Sequence, residues 1–379
     1  MTAVAGRVEC RVVADRRSFD EWCALTDRLY ADTSGFIPPL RQQLADFYAG
    51  KAPYFRHGQI RFLSAVREGV VVARTTAHTN DKLDAKLGTK HLLFGFTEFA
   101  EDDEAFAALV AELHSRAREL GAERLLGPVN LLPNQSGGVI TSNYERRGFV
   151  DGPYNLAHYP ATYERHGFAR VFEGATVIAT VDGDAPVERI FPFDDARIAA
   201  ERLEVRQANR KRIDEELVFI RSMLNASFAQ LDYYTTIDED ELAYQVDGLS
   251  HLLDERIALY LFKAGKPVAF ILCIPDISEF VRKVGGNLNL PNQLRLLLTR
   301  GRYRREAICV IKGTVPEEQG HGYMVLLSRE LLRNLRAAGY ETLRGTFIED
   351  ENVASSSQVD HMSGGRLHGV TFYSRAVGA

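Results

Sequence analysis

The residues best suited to chemistry in this sequence form a short glycine-containing segment, Gln319-Gly320-His321-Gly322. It follows an apolar run at 307–311 that predicts a buried strand, and it precedes a run with helical apolar spacing. At such a junction free backbone N–H groups and the positive end of the helix dipole point outward, and glycine lets an anion approach the backbone. The segment therefore predicts an anion site suited to a phosphate.

The elements that must position this segment recur in the sequence. Strands are predicted at 8–13, 60–66, 70–78, 91–99, 203–207, 257–262, 268–274, 307–311 and 341–348, and helices at 19–30, 42–48, 106–120, 213–228, 242–253, 291–299 and after Tyr323. An offset of 218 residues maps the segment from Gly121 to Asn134 onto the segment from Gly339 to Asn352, with glycines and asparagines matched. It also maps Gly95 onto Gly313 and the apolar stripe of one helix onto that of the other. We interpret this as an internal duplication.

The two copies differ where the anion site would lie. The same offset places Glu101-Asp102-Asp103-Glu104 where the later copy has Gln319-Gly320-His321-Gly322. Carboxylates suit the dipole at a helix N-terminus but repel a phosphate. The earlier copy is therefore predicted to hold a capped structural helix, and only the later copy an anion site.

The length, composition and charge of the sequence limit the classes of protein that fit it. The chain of 379 residues is long enough for two domains, and its composition, 45% hydrophobic and 26% charged, is that of a globular protein. A net charge of −5 gives no general attraction to DNA or to an anionic membrane. Four cysteines lack metal-ligand spacing, and no signal-peptide core or apolar span occurs. We expect a cytoplasmic protein without a metal site.

The segment after the strand at 307–311 resembles motif A of the GNAT acyltransferase superfamily, Gln/Arg-x-x-Gly-x-Gly/Ala, although Met324 replaces the last small residue. The whole chain is similar to bacterial tandem GNAT proteins. Matching segments are Gly127-Pro128-Val129-Asn130, Tyr154 to Tyr159, Tyr163 to Phe168, Pro275-Asp276, Val315 to Gly322 and Ile348 to Asn352. The resemblance implies an α/β (α+β) fold of two GNAT-like domains, each a mixed, mostly antiparallel sheet flanked by helices. We expect a degenerate domain at 1–185 and a cofactor-binding domain at 186–379.

The resemblance also implies a function, transfer of an acyl group from acetyl-CoA or another acyl-CoA to an amine of a small molecule or peptide. The Thr314 N–H would bind the thioester carbonyl, and Asn352 would lie beside the pantetheine arm. The amides of Gly320 to Tyr323 would hold the pyrophosphate. The residues implied to bind the donor are Thr314, Val315, Gln319, Gly320, His321, Gly322, Tyr323 and Asn352.

The sequence leaves open which residues transfer protons. Many GNAT enzymes carry a tyrosine acid about seven residues after the asparagine, but that position is Val359 here. Asp360, His361 and Tyr373 are nearby substitutes, and a histidine can change charge near neutral pH. Glu349 and Asp350, at a strand end, are candidate bases, although strand-end carboxylates often only cap the backbone. The catalytic candidates are therefore Glu349, Asp350, His361 and Tyr373.

Other interpretations remain for two regions. The polar and aromatic group Asn130, Asn134, Tyr154, Asn155, His158, Tyr159 and Tyr163 has no nucleophile–base pattern and favours domain packing over substrate binding. The cluster Arg295, Arg300, Arg302, Arg304 and Arg305 could contact an aminoacyl-tRNA or an acyl-carrier protein as donor. Because Met324 and Val359 depart from the family pattern, a non-catalytic CoA-binding protein is the further alternative.

Overall fold

A single sheet runs through both halves of the chain in the computed structural model, which describes residues 6–131, 137–181, 183–247 and 253–378. The strands of these residues are β1 (Val8–Val12), β2 (Ile60–Arg67), β3 (Val70–His78), β4 (His91–Phe99), β5 (Arg124–Gly127), β6 (Val139–Ile140), β7 (Ala169–Thr180), β8 (Leu203–Gln207), β9 (Ala258–Lys263), β10 (Lys266–Pro275), β11 (Glu306–Thr314), β12 (Thr342–Glu349) and β13 (Gly365–Ala376). The helices are α1 (Arg16–Leu29), α2 (Arg41–Tyr48), α3 (Asp81–Leu87), α4 (Asp103–Leu120), α5 (Tyr159–Arg165), α6 (Val187–Ile190), α7 (Asp195–Ala200), α8 (Ile213–Phe228), α9 (Glu239–Val246), α10 (Ser278–Lys283), α11 (Leu290–Thr299), α12 (Tyr323–Ala337) and α13 (Val353–His361).

The strand order is β1-β2-β3-β4-β5-β13-β7-β12-β11-β10-β9-β8, with β6 paired to β13. Neighbours on this path run antiparallel except β4–β5 and β11–β12, which are parallel. Each parallel pair is connected through a long helix, α4 or α12, as a parallel crossover requires. The predicted mixed, mostly antiparallel sheet flanked by helices is confirmed.

The two halves exchange their last strands at the centre of the sheet. Strand β13, from the end of the chain, pairs with β5 of the first half, whereas β7 pairs with β12 of the second half. Tyr373 lies opposite Gly127, and Val177 lies opposite Gly345, so the two exchanged pairings are equivalent positions of the duplication. The two exchanged strands also pair with each other, antiparallel. The sheet therefore has an approximate twofold axis between β7 and β13.

The long helices bury the apolar stripes that the sequence predicts. Phe106, Leu109 and Leu113 of α4 pack against the first half of the sheet, and Leu327 and Leu331 of α12 pack against the second. At about 1.5–3 kcal/mol for each fully buried large aliphatic or aromatic side chain, these faces hold both helices in place.

Helix starts depart from the hydrophobic pattern because polar caps define them. The side chain of Asp102 accepts a hydrogen bond from the Ala105 N–H, so α4 begins at Asp103, three residues before the predicted start at 106. Asp238 and Glu241 form a capping box that begins α9 at Glu239 rather than at 242. Its predicted end at 253 cannot be compared because residues 248–252 lie outside the described ranges, as does Asn134.

Buried ion pairs join the halves. Arg147 Nη2 lies 3.1 Å from Asp276 Oδ2 and also contacts Glu306, and Arg344 Nε lies 3.1 Å from the same Glu306 carboxylate. The side chain of Asp276 is only 2% exposed. Removing one member of such a buried group leaves its partners uncompensated, which is costly.

Among the described residues, no helix has both the length and the apolar character needed to cross a membrane.

Candidate functional site

Strands β11 and β12 open a gap in the sheet beside the glycine segment. They pair in parallel from Glu306 with Thr342 to Cys309 with Gly345, and beyond these residues they diverge. The pairing of β11 with β10 shifts register in the same region, between Leu272 and Cys273. A bulge of this kind bends a strand and interrupts its pairing, so backbone groups of β11 face the gap.

One of these backbone groups is the Thr314 N–H. Alternate residues of an antiparallel ladder exchange backbone hydrogen bonds with the partner strand. The Val315 N–H donates to the Val268 carbonyl oxygen at 3.0 Å, so the amide of Thr314, one residue earlier, points to the other edge of β11, toward the gap. Thr314 and Val315 are both predicted to contact the acyl donor. The Thr314 amide is available to bind it, whereas the Val315 amide is already bonded to the Val268 carbonyl oxygen.

The glycine segment forms an open turn at the start of α12. Gly320 and Gly322 have φ angles of +80° and +75°, and a Cβ built on either one would meet no atom within 4 Å. Gly322 is the N-cap of α12 and supplies no side-chain cap, so the first N–H groups of the helix point outward. These amides and the helix dipole can bind a phosphate, since no capping side chain is bonded to them.

Neighbouring side chains fix the turn. Gln319 Nε2 donates to the Thr314 carbonyl oxygen at 3.2 Å, which closes the loop between strand and helix. The ring of His321 stacks on Tyr323 with 5.5 Å between centroids. Asn352 accepts a hydrogen bond from the Ser355 N–H at 3.1 Å as the N-cap of α13, and it lines the adjoining cavity. The predicted donor-binding residues thus lie around one gap.

A cavity of about 1750 Å³ adjoins the turn and extends between the halves. Gly320, Gly322 and Thr314 line one end of it, and Glu98 and Tyr159 of the first half line another part. The cavity is larger than the roughly 300–1,000 Å³ of ordinary small-molecule sites. It can therefore hold a ligand with a long apolar portion beside the phosphate turn.

Glu349 is the predicted base that reaches this cavity. Burial raises the pKa of its carboxyl, and the nearby carboxylate of Glu351 adds to the effect. Tyr233, on the segment between α8 and α9, places its hydroxyl 3.5 Å from Glu349 Oε2. A carboxylate with a raised pKa is a stronger base than an ordinary one, and its place in the cavity suits it to accept a proton from a substrate.

The other catalytic candidates have different surroundings. His361 also lines the cavity, and its Nδ1 lies 2.6 Å from the Ser357 carbonyl oxygen. Asp350 is exposed and pairs with Arg366 at 2.7 Å. Tyr373 is buried in the core of the first half, where it stacks on Tyr163. The structure brings Glu349 and His361 to the cavity and leaves Asp350 and Tyr373 away from it.

In the first half, the residues that correspond to the turn and to Thr314 are bonded to other parts of the chain. Asp102, the cap of α4, is also paired with Arg67 at 2.8 Å. The side chain of Asn130 accepts from the Phe96 N–H at 2.8 Å, and a Cβ on Gly95 would lie 1.9 Å from the Val129 carbonyl oxygen. The 218-residue offset places the Phe96 amide where the second half has the Thr314 amide, and Asn130 already occupies it.

The polar and aromatic group of the first half mostly supports packing. Asn155 accepts from the Ile140 N–H at 2.6 Å, and the Tyr154 hydroxyl donates to the Tyr144 carbonyl oxygen at 2.6 Å. These bonds tie loops to the sheet within the first half, and Asn130, Tyr154, Asn155 and Tyr159 also line the cavity.

Three charged residues, two of them buried and one half-buried, escaped the sequence analysis. Glu98 accepts hydrogen bonds from the hydroxyls of Tyr30 (2.6 Å) and Tyr159 (2.8 Å), and burial raises its pKa. Arg74 stacks over the Trp22 ring at 3.9 Å. Lys312, in the gap, donates to Gln358 Oε1 at 2.6 Å, and burial lowers its pKa. Their only signal in the sequence is a charged residue within an apolar strand.

Comparison with known proteins identifies the class: the chain has the tandem GNAT fold. A tandem GNAT protein from the clavulanic acid biosynthesis pathway matches with a TM-score of 0.60 and 14% identity, over 98% of this chain and 99% of that one. The bacterial ceramide synthase of Caulobacter vibrioides is 22% identical over 372 residues, which cover 93% of this chain and 94% of the relative. The protein YghO of Escherichia coli K12 is 23% identical over 284 residues, 73% of this chain and 71% of the relative. No family model matches the sequence.

Proposed function

We propose that this protein is an N-acyltransferase that moves an acyl group from acyl-CoA to an amine. The observation that carries the proposal is the juxtaposition of the uncovered N-terminus of α12 with the inward-pointing Thr314 amide. The first suits a diphosphate, and the second suits the negative charge that develops on a thioester carbonyl oxygen during acyl transfer. The tandem GNAT fold supports the same assignment.

In the proposed reaction the nitrogen of the acceptor attacks the thioester carbon, a C–N bond forms, and the C–S bond breaks. The Thr314 N–H stabilises the oxyanion. Glu349 removes the proton that the amine must lose, and the leaving thiolate takes up a proton to become free CoA. His361, which also lines the cavity, is the candidate to supply that proton.

We further propose that one substrate carries a long aliphatic chain. The cavity exceeds what an acetyl group and a small amine need, and its lining includes an apolar group on α8 that contains Leu217, Ile220 and Leu224. The Caulobacter relative is a ceramide synthase by name, and a ceramide is the amide of a long-chain amine. Acetyl transfer to a small or peptide amine is the competing specificity.

The decisive experiment is a matrix of acyl donors and amine acceptors. Acyl-CoA thioesters from acetyl to palmitoyl are incubated with the full chain and with polar, peptide and long-chain amines. Release of free CoA thiol and mass of the amide product are both measured. We expect turnover that rises with chain length in at least one substrate. Binding of CoA with no amide product across the whole matrix would refute the enzymatic assignment.

The role of Glu349 is tested against its neighbour. Because its pKa is raised, activity should increase with pH as the carboxyl ionises, and Glu349→Gln should lose that dependence together with about 100-fold or more in kcat. Asp350→Asn changes the adjacent carboxylate, which is exposed and paired with Arg366, and should retain the wild-type pH profile. Equal losses in both variants would rule out a specific role for Glu349.

A further inference from the structure

Helix α11 exposes a stripe of leucines. Leu290, Leu294 and Leu298 are 68%, 54% and 86% exposed, and residues four apart lie on one side of a helix. Among the described residues only two other large apolar side chains, Val70 and Val218, are more than half exposed. Scattered exposed apolar residues are ordinary, but an aligned stripe marks a contact surface.

The surroundings of this stripe are strongly basic. Residues 278–305 contain seven arginines and lysines and one acidic residue, a net charge of +6 in a chain whose total is −5. Arg295, Arg300 and Arg302 are exposed, and none of them pairs with a carboxylate of the described chain. Exposed leucines bordered by unpaired cations are the composition of a helix that lies in a membrane interface.

The same helix forms part of the cavity wall. Leu296 is buried, and Leu297 and Gln293 line the cavity described above. Leu294 and Leu297 are three residues apart and are therefore neighbours on the helix surface. The exposed stripe thus meets the cavity wall along α11, so whatever covers the stripe lies next to the cavity.

We propose that α11 and the basic turn that follows it dock the protein on an anionic lipid bilayer. The leucine stripe enters the boundary between headgroups and acyl chains, and the arginines contact lipid phosphates. The overall negative charge opposes approach in other orientations, so the basic patch also sets the orientation. The net charge of the whole chain gives no general attraction to an anionic membrane, but this basic patch attracts one locally.

A bilayer and a nucleic acid would need different residues of this surface. Arginines alone bind a phosphate backbone, and removing leucines leaves such binding unchanged. A bilayer uses both, since apolar side chains contribute through the area that they bury in the interface. A requirement for leucines and arginines together is therefore the signature of the proposed partner.

Co-sedimentation of the full chain with lipid vesicles tests the proposal, and no acyl donor is needed, so its outcome is independent of the proposed reaction. We expect binding to vesicles of equal parts phosphatidylglycerol and phosphatidylcholine, weaker binding at high salt, and little binding to phosphatidylcholine alone. The double variant Leu294→Asp and Leu298→Asp should bind about 100-fold more weakly, and Arg300→Gln about fivefold. Val218→Asp, a change at a valine of α8 that is 60% exposed, is the matched control and should bind as wild type does.

Three results would overturn the proposal. Equal binding of wild type and the leucine double variant would show that the stripe does not enter the bilayer. Binding of transfer RNA that depends on Arg300 but not on the leucines, without vesicle binding, would assign the patch to nucleic acid. A wild-type dimer that becomes monomeric in the leucine double variant would assign it to a second copy of the chain. Circular dichroism of each variant verifies folding.

Discussion

Gly322→Glu tests whether the turn before α12 binds the diphosphate of CoA. Glycine at this position has a φ of +75° and open space around it, so a glutamate side chain fits without a clash. Gly339, after the other end of the same helix, has a φ of +80° and equally open space. Gly339→Glu therefore provides a control with the same backbone strain and the same added charge, but far from the turn.

The magnitude follows from strain and charge separately. A side chain in the left-handed region costs about 1–2 kcal/mol of stability, and both variants should lose this amount. Only at residue 322 does the carboxylate face the proposed diphosphate. At about 6 Å and an effective dielectric constant of about 20, each pair of unit charges repels by about 3 kcal/mol, which weakens binding about 100-fold.

Isothermal titration calorimetry with CoA measures this difference, and chemical denaturation measures the shared loss of stability. We expect the Gly339→Glu protein to bind CoA as wild type does and the Gly322→Glu protein to bind it at least about 100-fold more weakly. Wild-type CoA affinity in both variants would refute the anion site at α12. Equal loss in both would show that strain, not charge, weakens binding.

Two further predictions concern buried charge. Burial raises the folded-state pKa of Glu98 above its ordinary value of 4.5. The stability of wild type relative to Glu98→Gln should therefore be greatest below about pH 4.5 and fall as pH rises through that raised pKa. Chemical denaturation at a series of pH values measures this difference, and a difference that does not change with pH would show that the carboxyl is not desolvated. Asp276→Ala removes a carboxylate that lies between Arg147 and Arg344, and it should lower the free energy of unfolding by about 3–5 kcal/mol. Asp350→Ala, at an exposed ion pair, should cost far less. Similar losses for the two variants in urea denaturation would contradict a buried network.

Local features of the sequence predicted much of the fold. The helical stripe at Leu327 and Leu331 is buried as expected, because helix periodicity depends only on neighbouring residues. The glycine segment also has the predicted form, since positive φ at Gly322 is a local requirement.

Long-range pairing was harder to predict. Strands β7 and β13 were not predicted from the sequence. They begin 196 residues apart, which is the offset between the hairpin turns at Gly69 and Gly265, so they are equivalent strands of the duplication. Both strands lie in the middle of the sheet, where simple alternation of apolar and polar residues is lost. Without them Tyr373 could only be assigned to the second half, although its strand pairs with β5 of the first.

Buried polar groups were hidden for a related reason. Glu98 is bonded to tyrosines 68 and 61 residues away, and no spacing rule connects such distant positions. Glu349 could be proposed from its place at a strand end, but its partner Tyr233 lies 116 residues earlier in the chain. Chemistry that depends on burial becomes visible only once the cavity is defined.

Because each half lends its final strand to the other, neither can retain its own sheet once the chain is divided between them. A fragment ending near residue 185 would keep β7 but lose the strand that separates it from β5, leaving two unsatisfied edges. Two copies of one half could satisfy both edges by swapping strands around a true twofold axis, as closed dimers do. The covalent tandem fixes this swap permanently, so the acidic turn of the first half can differ from the glycine turn of the second without either half losing the strand that completes its sheet.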